Sequence, residues 1–127
     1  MYQVDITNEG GYLFNVKSKD YQFAIDTKGK GITPPDTLLA SLGSCVGVYI
    51  RKYAEDLKLE LKGFNIKVEA EFSKERPVRF THINVSIDLK GSQIEERRKK
   101  ALLEFVKNCP VHNTLSFAPL VDIKIIG

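Results

Sequence analysis

Cysteine is scarce in this chain, with two in 127 residues, and long apolar runs, strong charge of one sign and signature loops are missing. Each absence narrows the field. Two cysteines do not make a structural disulfide framework, so a bridge between Cys45 and Cys109 would be transient and chemical. The longest uncharged apolar stretch is too short to cross a bilayer, and MYQVDITNEGG lacks a basic segment followed by an apolar core. The chain therefore reads as cytoplasmic, with no membrane partner. The net charge is only +3, and lysines are interleaved with acids, as in YAEDLKLELKGF. No basic face is built for a phosphate backbone, so nucleic acid is not an expected partner. Gly-rich phosphate loops, paired-metal clusters, GxSxG elbows and internal repeats are also absent from the sequence. What is left is a chain 43% hydrophobic and 28% charged. It is long enough to bury about two-thirds of its unfolded surface. Residues 1–127 read as one domain.

Tyr2, Val4 and Ile6 alternate with polar neighbours, NEGG turns the chain, and Tyr12, Phe14 and Val16 resume the period of two. KSKD leads into Tyr21, Phe23 and Ile25, completing a three-strand meander. After the loop DTKGKGITPPD, Thr33 is a capping hydroxyl, the prolines suit a first turn, and Asp36 faces the positive end of a helix dipole. The helix is expected to run to about Leu57 or Leu59, with Gly63 closing the segment. Phe64, Ile66, Val68, Ala70 and Phe72 alternate, as do Ile83, Val85, Ile87 and Leu89, which describes a long hairpin. Ser92 to Glu95 fits a capping box ahead of a second amphipathic helix that stops at Cys109-Pro110. A short helix or turn over CPVHNTLSF and a last strand through Val121, Ile123 and Ile125 follow. The order argues for α+β with antiparallel sheets.

The first helix carries its bulk on one side. Leu38, Leu39, Leu42, Val46, Tyr49, Ile50 and Tyr53 form a broad apolar arc with Cys45 at its edge. The other side holds Ala40, Ser41, Gly43, Ser44, Gly47 and Val48 and leaves room for something large. Two interior glycines cost about 1 kcal/mol each relative to alanine, so close approach of another backbone is expected to compensate, with a second subunit supplying part of the wrapping. Geometry alone leaves two readings of Cys45 open, a small buried filler or a reactive thiol served by a cation from elsewhere. Cys109 reads equally as the last apolar residue of its helix. A zinc site of Cys45, Cys109, His82 and His112 would use every soft ligand in the chain, and no metal is expected.

TPPDTLLASLGSCVGVYIRKYAEDLKLELKGFNIKVEAEF, the strand FTHINVSIDL and the segment ALLEFVKNCPVHNTLSF resemble the family of osmotically inducible protein C (OsmC) and organic hydroperoxide resistance proteins. The likeness covers essentially the whole chain and is nearest to the short general branch. It implies an α+β fold with a long central buried cysteine-bearing helix, a second helix, and two intertwined chains forming a homodimer with sites at the interface. It also implies a thiol-dependent peroxidase acting on a small organic hydroperoxide in defence against oxidative stress. Cys45 would be the peroxidatic thiolate and Cys109 the resolving thiol, regenerated by a dithiol reductant of lipoyl type, with no cofactor. Leu38, Leu42 and Tyr49 would wall the pocket. The peroxidase branches hold the thiolate with an arginine from the N-terminal strands and a glutamate ten residues before the cysteine. Here no arginine precedes Arg51, Pro35 occupies the glutamate position, and Asp36 is the nearest acid. Arg51 of a partner helix, Arg79, Lys52 and His112 are the candidate substitute cations. The alternative is an OsmC-like protein that binds a small ligand or senses redox state without peroxidase turnover.

Overall fold

The structure is a computed structural model that describes all 127 residues. Its elements are β1 (Asp5–Thr7), β2 (Leu13–Ser18), β3 (Tyr21–Asp26), α1 (Pro34–Asp56), β4 (Asn65–Phe72), β5 (Phe80–Asp88), α2 (Glu96–Val106) and α3 (Pro110–Ser116). The class is α+β, with two antiparallel sheets of order β1-β2-β3 and β4-β5. The chain divides into two compact units, Met1–Ala40 and Ser41–Gly127, with the division falling inside α1.

In the first unit the meander forms as the alternation predicts, with Ile6, Val16 and Phe23 in register across three strands. Asp26 ends β3 as a buried carboxylate that accepts the backbone N–H groups of Lys28 (2.8 Å) and Lys30 (3.1 Å). These bonds shape the following loop, which returns to β3 through Asp26 N–H to the Ile32 carbonyl (3.1 Å). Gly31 permits that return, because a Cβ there would lie 2.7 Å from the Ala24 carbonyl oxygen. Thr33 and Asp36 then start α1 with reciprocal bonds. The Asp36 N–H donates to Thr33 Oγ1 (3.3 Å), and that hydroxyl donates to Asp36 Oδ2 (3.0 Å).

The core of the second unit gathers Leu42, Val46, Ile50, Tyr53 and Ala54 of α1, Leu61, Leu102 and Val106 of α2, and Cys109. Hairpin residues on one face, paired as Ile66 with Ile87 and Val68 with Val85, pack against it. The glycine side of α1 meets this hairpin. Cβ atoms at Gly43 and Gly47 would lie 3.0 Å from Val68 Cγ2 and 3.4 Å from Ile66 Cδ1. The close approach expected at these glycines is thus made by β4 side chains of the same chain, not by another backbone. Burial of α1 is also incomplete within one chain, since Ser41 and Val48 are exposed.

Three expected boundaries differ. Helix α1 stops at Asp56 because Lys58 turns left-handed (φ 52°). Leu59 N–H then reaches the Ala54 carbonyl (2.9 Å) and Lys58 N–H the Glu55 carbonyl (3.2 Å), which is a Schellman stop well before Gly63. Ser92 does not cap α2. Its hydroxyl donates to the Leu89 carbonyl (2.7 Å) in the turn after β5, and Glu95 takes the N-cap position without a side-chain bond. Residues 117–127 belong to no strand, and Val121, Ile123 and Ile125 are exposed, the last at 96%. Alternation gives such a segment two faces but cannot supply the neighbouring strand that a ladder requires.

Candidate active site around two thiols

Cys45 sits in the middle of α1, half-buried at the rim of the core. Cys109 arrives from a different direction. Helix α2 ends at Val106, and Cys109 N–H bonds the Val106 carbonyl (3.1 Å). Pro110 then opens α3 at a position where its missing N–H costs nothing. Cys109 is therefore the N-cap of α3 rather than the last residue of α2. Its sulfur accepts the His112 backbone N–H at 3.3 Å.

The fold brings the two thiols close enough to influence each other, although they are far apart in sequence. Both are free. Cys109 is fully buried, at 0% exposure, and burial is the main reason its thiol is pushed above the ordinary value of 9.0. The neighbouring Cys45 pushes the same way, while the backbone N–H groups of His112 and Val111 pull it down. At neutral pH Cys109 is thus a protonated thiol held beside Cys45, and Cys45 is the sulfur that a solute meets first.

The surroundings are apolar and aromatic. Leu42 is buried in the core, and Tyr49 leans on Phe105 of α2 with ring centroids 5.8 Å apart. Phe105 in turn meets Tyr53 at 5.5 Å. Lys52 places its ammonium 4.8 Å from the centre of the Tyr49 ring, one turn along the helix from it. Leu38 and Asp36 belong to the first unit, where Leu38 is exposed and Asp36 completes the cap of α1.

The other candidate cations are engaged elsewhere. Arg51 donates to the Leu61 carbonyl and, at 2.7 Å, to the Lys62 carbonyl, with its guanidinium over the Phe64 ring. It ties the segment after α1 back onto the helix. Arg79 donates to the Pro77 carbonyl (2.7 Å) at the tip of the hairpin. The His112 ring lies beside Asn113, Nδ1 to Oδ1 3.3 Å, so in this chain its backbone, not its imidazole, serves the sulfur. His82 is exposed on β5, and no group of three or more His, Cys, Asp or Glu side chains could hold a metal ion. Sequence reasoning missed the capping role of Cys109 and the tether made by Arg51. The Cys-Pro pair was the available sign of the first, since proline favours the first helical position.

Comparison with known proteins places the fold. A family model described as OsmC-like protein matches residues 27–124. No curated protein matches significantly in sequence. Among solved structures, the OsmC-like protein from Mycoplasma pneumoniae superposes with TM-score 0.79 at 23% identity, covering 93% of this chain and 89% of that one. An OsmC-like hydroperoxide resistance protein from Jannaschia gives 0.65 at 20% identity, covering 98% and 91%. An organic hydroperoxide resistance protein OsmC from Legionella pneumophila gives 0.65 at 19%, covering 92% and 91%.

Proposed function

The chain belongs to the OsmC-like protein family, and from that premise we propose that it is a thiol-dependent peroxidase for organic hydroperoxides that works in the reducing cytoplasm. The observation that carries the reading is the meeting of a half-buried Cys45 with a fully buried, protonated Cys109. Two of the similar structures are named for hydroperoxide resistance, which supports the same chemistry.

The Cys45 thiolate attacks the terminal oxygen of R–OOH. An S–O bond forms, the O–O bond breaks, sulfur is oxidised by two electrons, and the departing alkoxide takes a proton to leave as alcohol. Cys109 then attacks the sulfenic acid, so that Cys45–SOH and Cys109–SH give the disulfide and water. Because Cys109 already waits beside Cys45, closure competes well against over-oxidation. A dithiol reductant, of lipoyl type in this reading, reopens the bridge by exchange and is itself oxidised to a disulfide. The apolar walls Leu42 and Tyr49 favour an organic peroxide over hydrogen peroxide, and Lys52, two turns after Cys45 on the same face of the helix, is the candidate cation. No cofactor enters these steps.

The reading includes a homodimer. Its support is the alternating apolar segment at Val121, Ile123 and Ile125, which is exposed and has no partner strand, together with the exposed Val48 side of α1. Sedimentation is expected to give a dimer at micromolar concentration, and a chain ending at Phe117 a monomer.

The catalytic test is the consumption of cumene hydroperoxide with a dithiol. Cys45→Ser is expected to lower turnover roughly 100-fold or more. Cys109→Ser should instead accumulate a sulfenic acid at Cys45 that dimedone labels. A wild-type chain that forms the disulfide with peroxide but does not turn over would favour redox sensing, the reading to which the engagement of Arg51 and Arg79 on backbone carbonyls lends weight.

A further inference from the structure

Cys109 has a second task that bond formation to Cys45 would interrupt. Its sulfur is the side-chain cap of α3, accepting the His112 N–H at 3.3 Å. Helix α3 has seven residues and none of them is buried. So short a helix is marginal without its ends satisfied and its face packed. Its remaining holds are local. Asn113 N–H bonds the Cys109 carbonyl (3.0 Å), Thr114 Oγ1 donates to the Pro110 carbonyl (2.8 Å), and half-buried Val111 touches the core. Directly beyond lies the apolar segment with Phe117, Leu120, Val121, Ile123 and Ile125 exposed.

We propose that the Cys45–Cys109 disulfide uncaps α3, so that the redox state of the thiol pair sets the order of α3 and of the apolar segment that follows it. Neighbouring sulfurs must close to about 2 Å when they bond. The Cys109 sulfur lies beside the Cys45 thiol and is held by the His112 N–H. Drawing it toward the first lengthens the second. The His112 N–H is then an orphan at the first turn of an unpacked helix. The device rests on the disulfide of the peroxidase reading, but it requires only that the bridge forms, not that peroxide turns over.

Backbone hydrogen exchange on the full chain tests it, with the bridge made by diamide, a diazenedicarboxamide that is reduced to the hydrazine as the two thiols lose two protons and two electrons. In the oxidised wild type, the amides of His112 and the following α3 residues are expected to exchange roughly threefold faster or more than in the reduced protein, the scale of losing a helix cap. Reduced Cys109→Ala, which lacks any acceptor, should show the same acceleration. Reduced Cys109→Ser, whose hydroxyl can cap, should stay close to reduced wild type. A diamide-formed bridge with unchanged protection at His112 overturns the switch and leaves the peroxidase reading standing. Failure of diamide to join Cys45 to Cys109 overturns both. Bridging and faster exchange without peroxide turnover leaves the switch standing and removes the peroxidase.

Discussion

Gly43 and Gly47 lie one turn apart on α1, yet the hairpin treats them differently. A methyl at Gly47 meets Ile66 Cδ1 at an ordinary 3.4 Å, whereas one at Gly43 meets the Val68 methyl at 3.0 Å. Val68 is β-branched and stiff at χ1, so it cannot swing away cheaply. Gly47→Ala is expected to raise stability by about 0.5–1 kcal/mol through helix propensity, while Gly43→Ala gains nothing or loses stability. Urea midpoints of the two variants check the difference, and equal stabilisation by both would contradict the packing described. The residue types at these positions were legible as a request for close packing. Which neighbour answers it was not, because β4 returns to α1 only through the tertiary fold. Arg51 gives the same lesson from the polar side. Its place on the helix was readable, but the carbonyls of Leu61 and Lys62 that hold it come from backbone whose direction is fixed by the Schellman stop.

Most elements built from local signals form where the sequence puts them, the alternating segment at Val121, Ile123 and Ile125 being the exception. The alternating runs of β2 and β3, the hairpin β4-β5 and the Thr33–Asp36 start of α1 each depend on residues close in the chain. Element ends are less faithful. Lys58 takes the left-handed position that glycine usually fills, at a cost of roughly 1 kcal/mol, while Leu59 just beyond it packs against the core. Lys58→Gly is therefore expected to stabilise the protein by about 0.5–1 kcal/mol, read as a shift in the thermal midpoint. Helix α2 offers a second gain, since Glu95 at its N-cap makes no side-chain bond. Glu95→Ser supplies an oxygen of the right reach and should add about 0.5–1 kcal/mol in the same measurement. Ser92 looked like that cap in sequence, but the turn at Leu89 takes its hydroxyl first, and a local pattern does not say which of two backbone groups wins.

For the molecule as a whole, the buried thiol links stability to pH. Cys109 holds its proton more tightly in the folded chain than in the unfolded one, so above the ordinary value of 9.0 the unfolded chain binds fewer protons than the folded one. Its contribution is complete below that pH and is lost as pH rises toward the folded value. As pH rises above 9, reduced wild type is expected to lose stability more steeply than Cys109→Ser, with a slope of at most about 1.4 kcal/mol per pH unit from this group. Parallel denaturation curves for the two proteins would count against the burial described. No helix is long and apolar enough to cross a membrane, as the hydropathy of the sequence required. The sequence by itself determined the α+β class, the meander, the hairpin, both long helices and the family, because periodicity, caps and paired motifs act over a few residues or one turn. Only the tertiary structure decided that Cys109 is buried beside Cys45 and that Arg51 is tied to backbone. The thiols come from segments more than sixty residues apart and the Arg51 bonds reach 10 and 11 residues along the chain, and burial and hydrogen bonding at such separations arise when the core closes, not from any spacing along the chain.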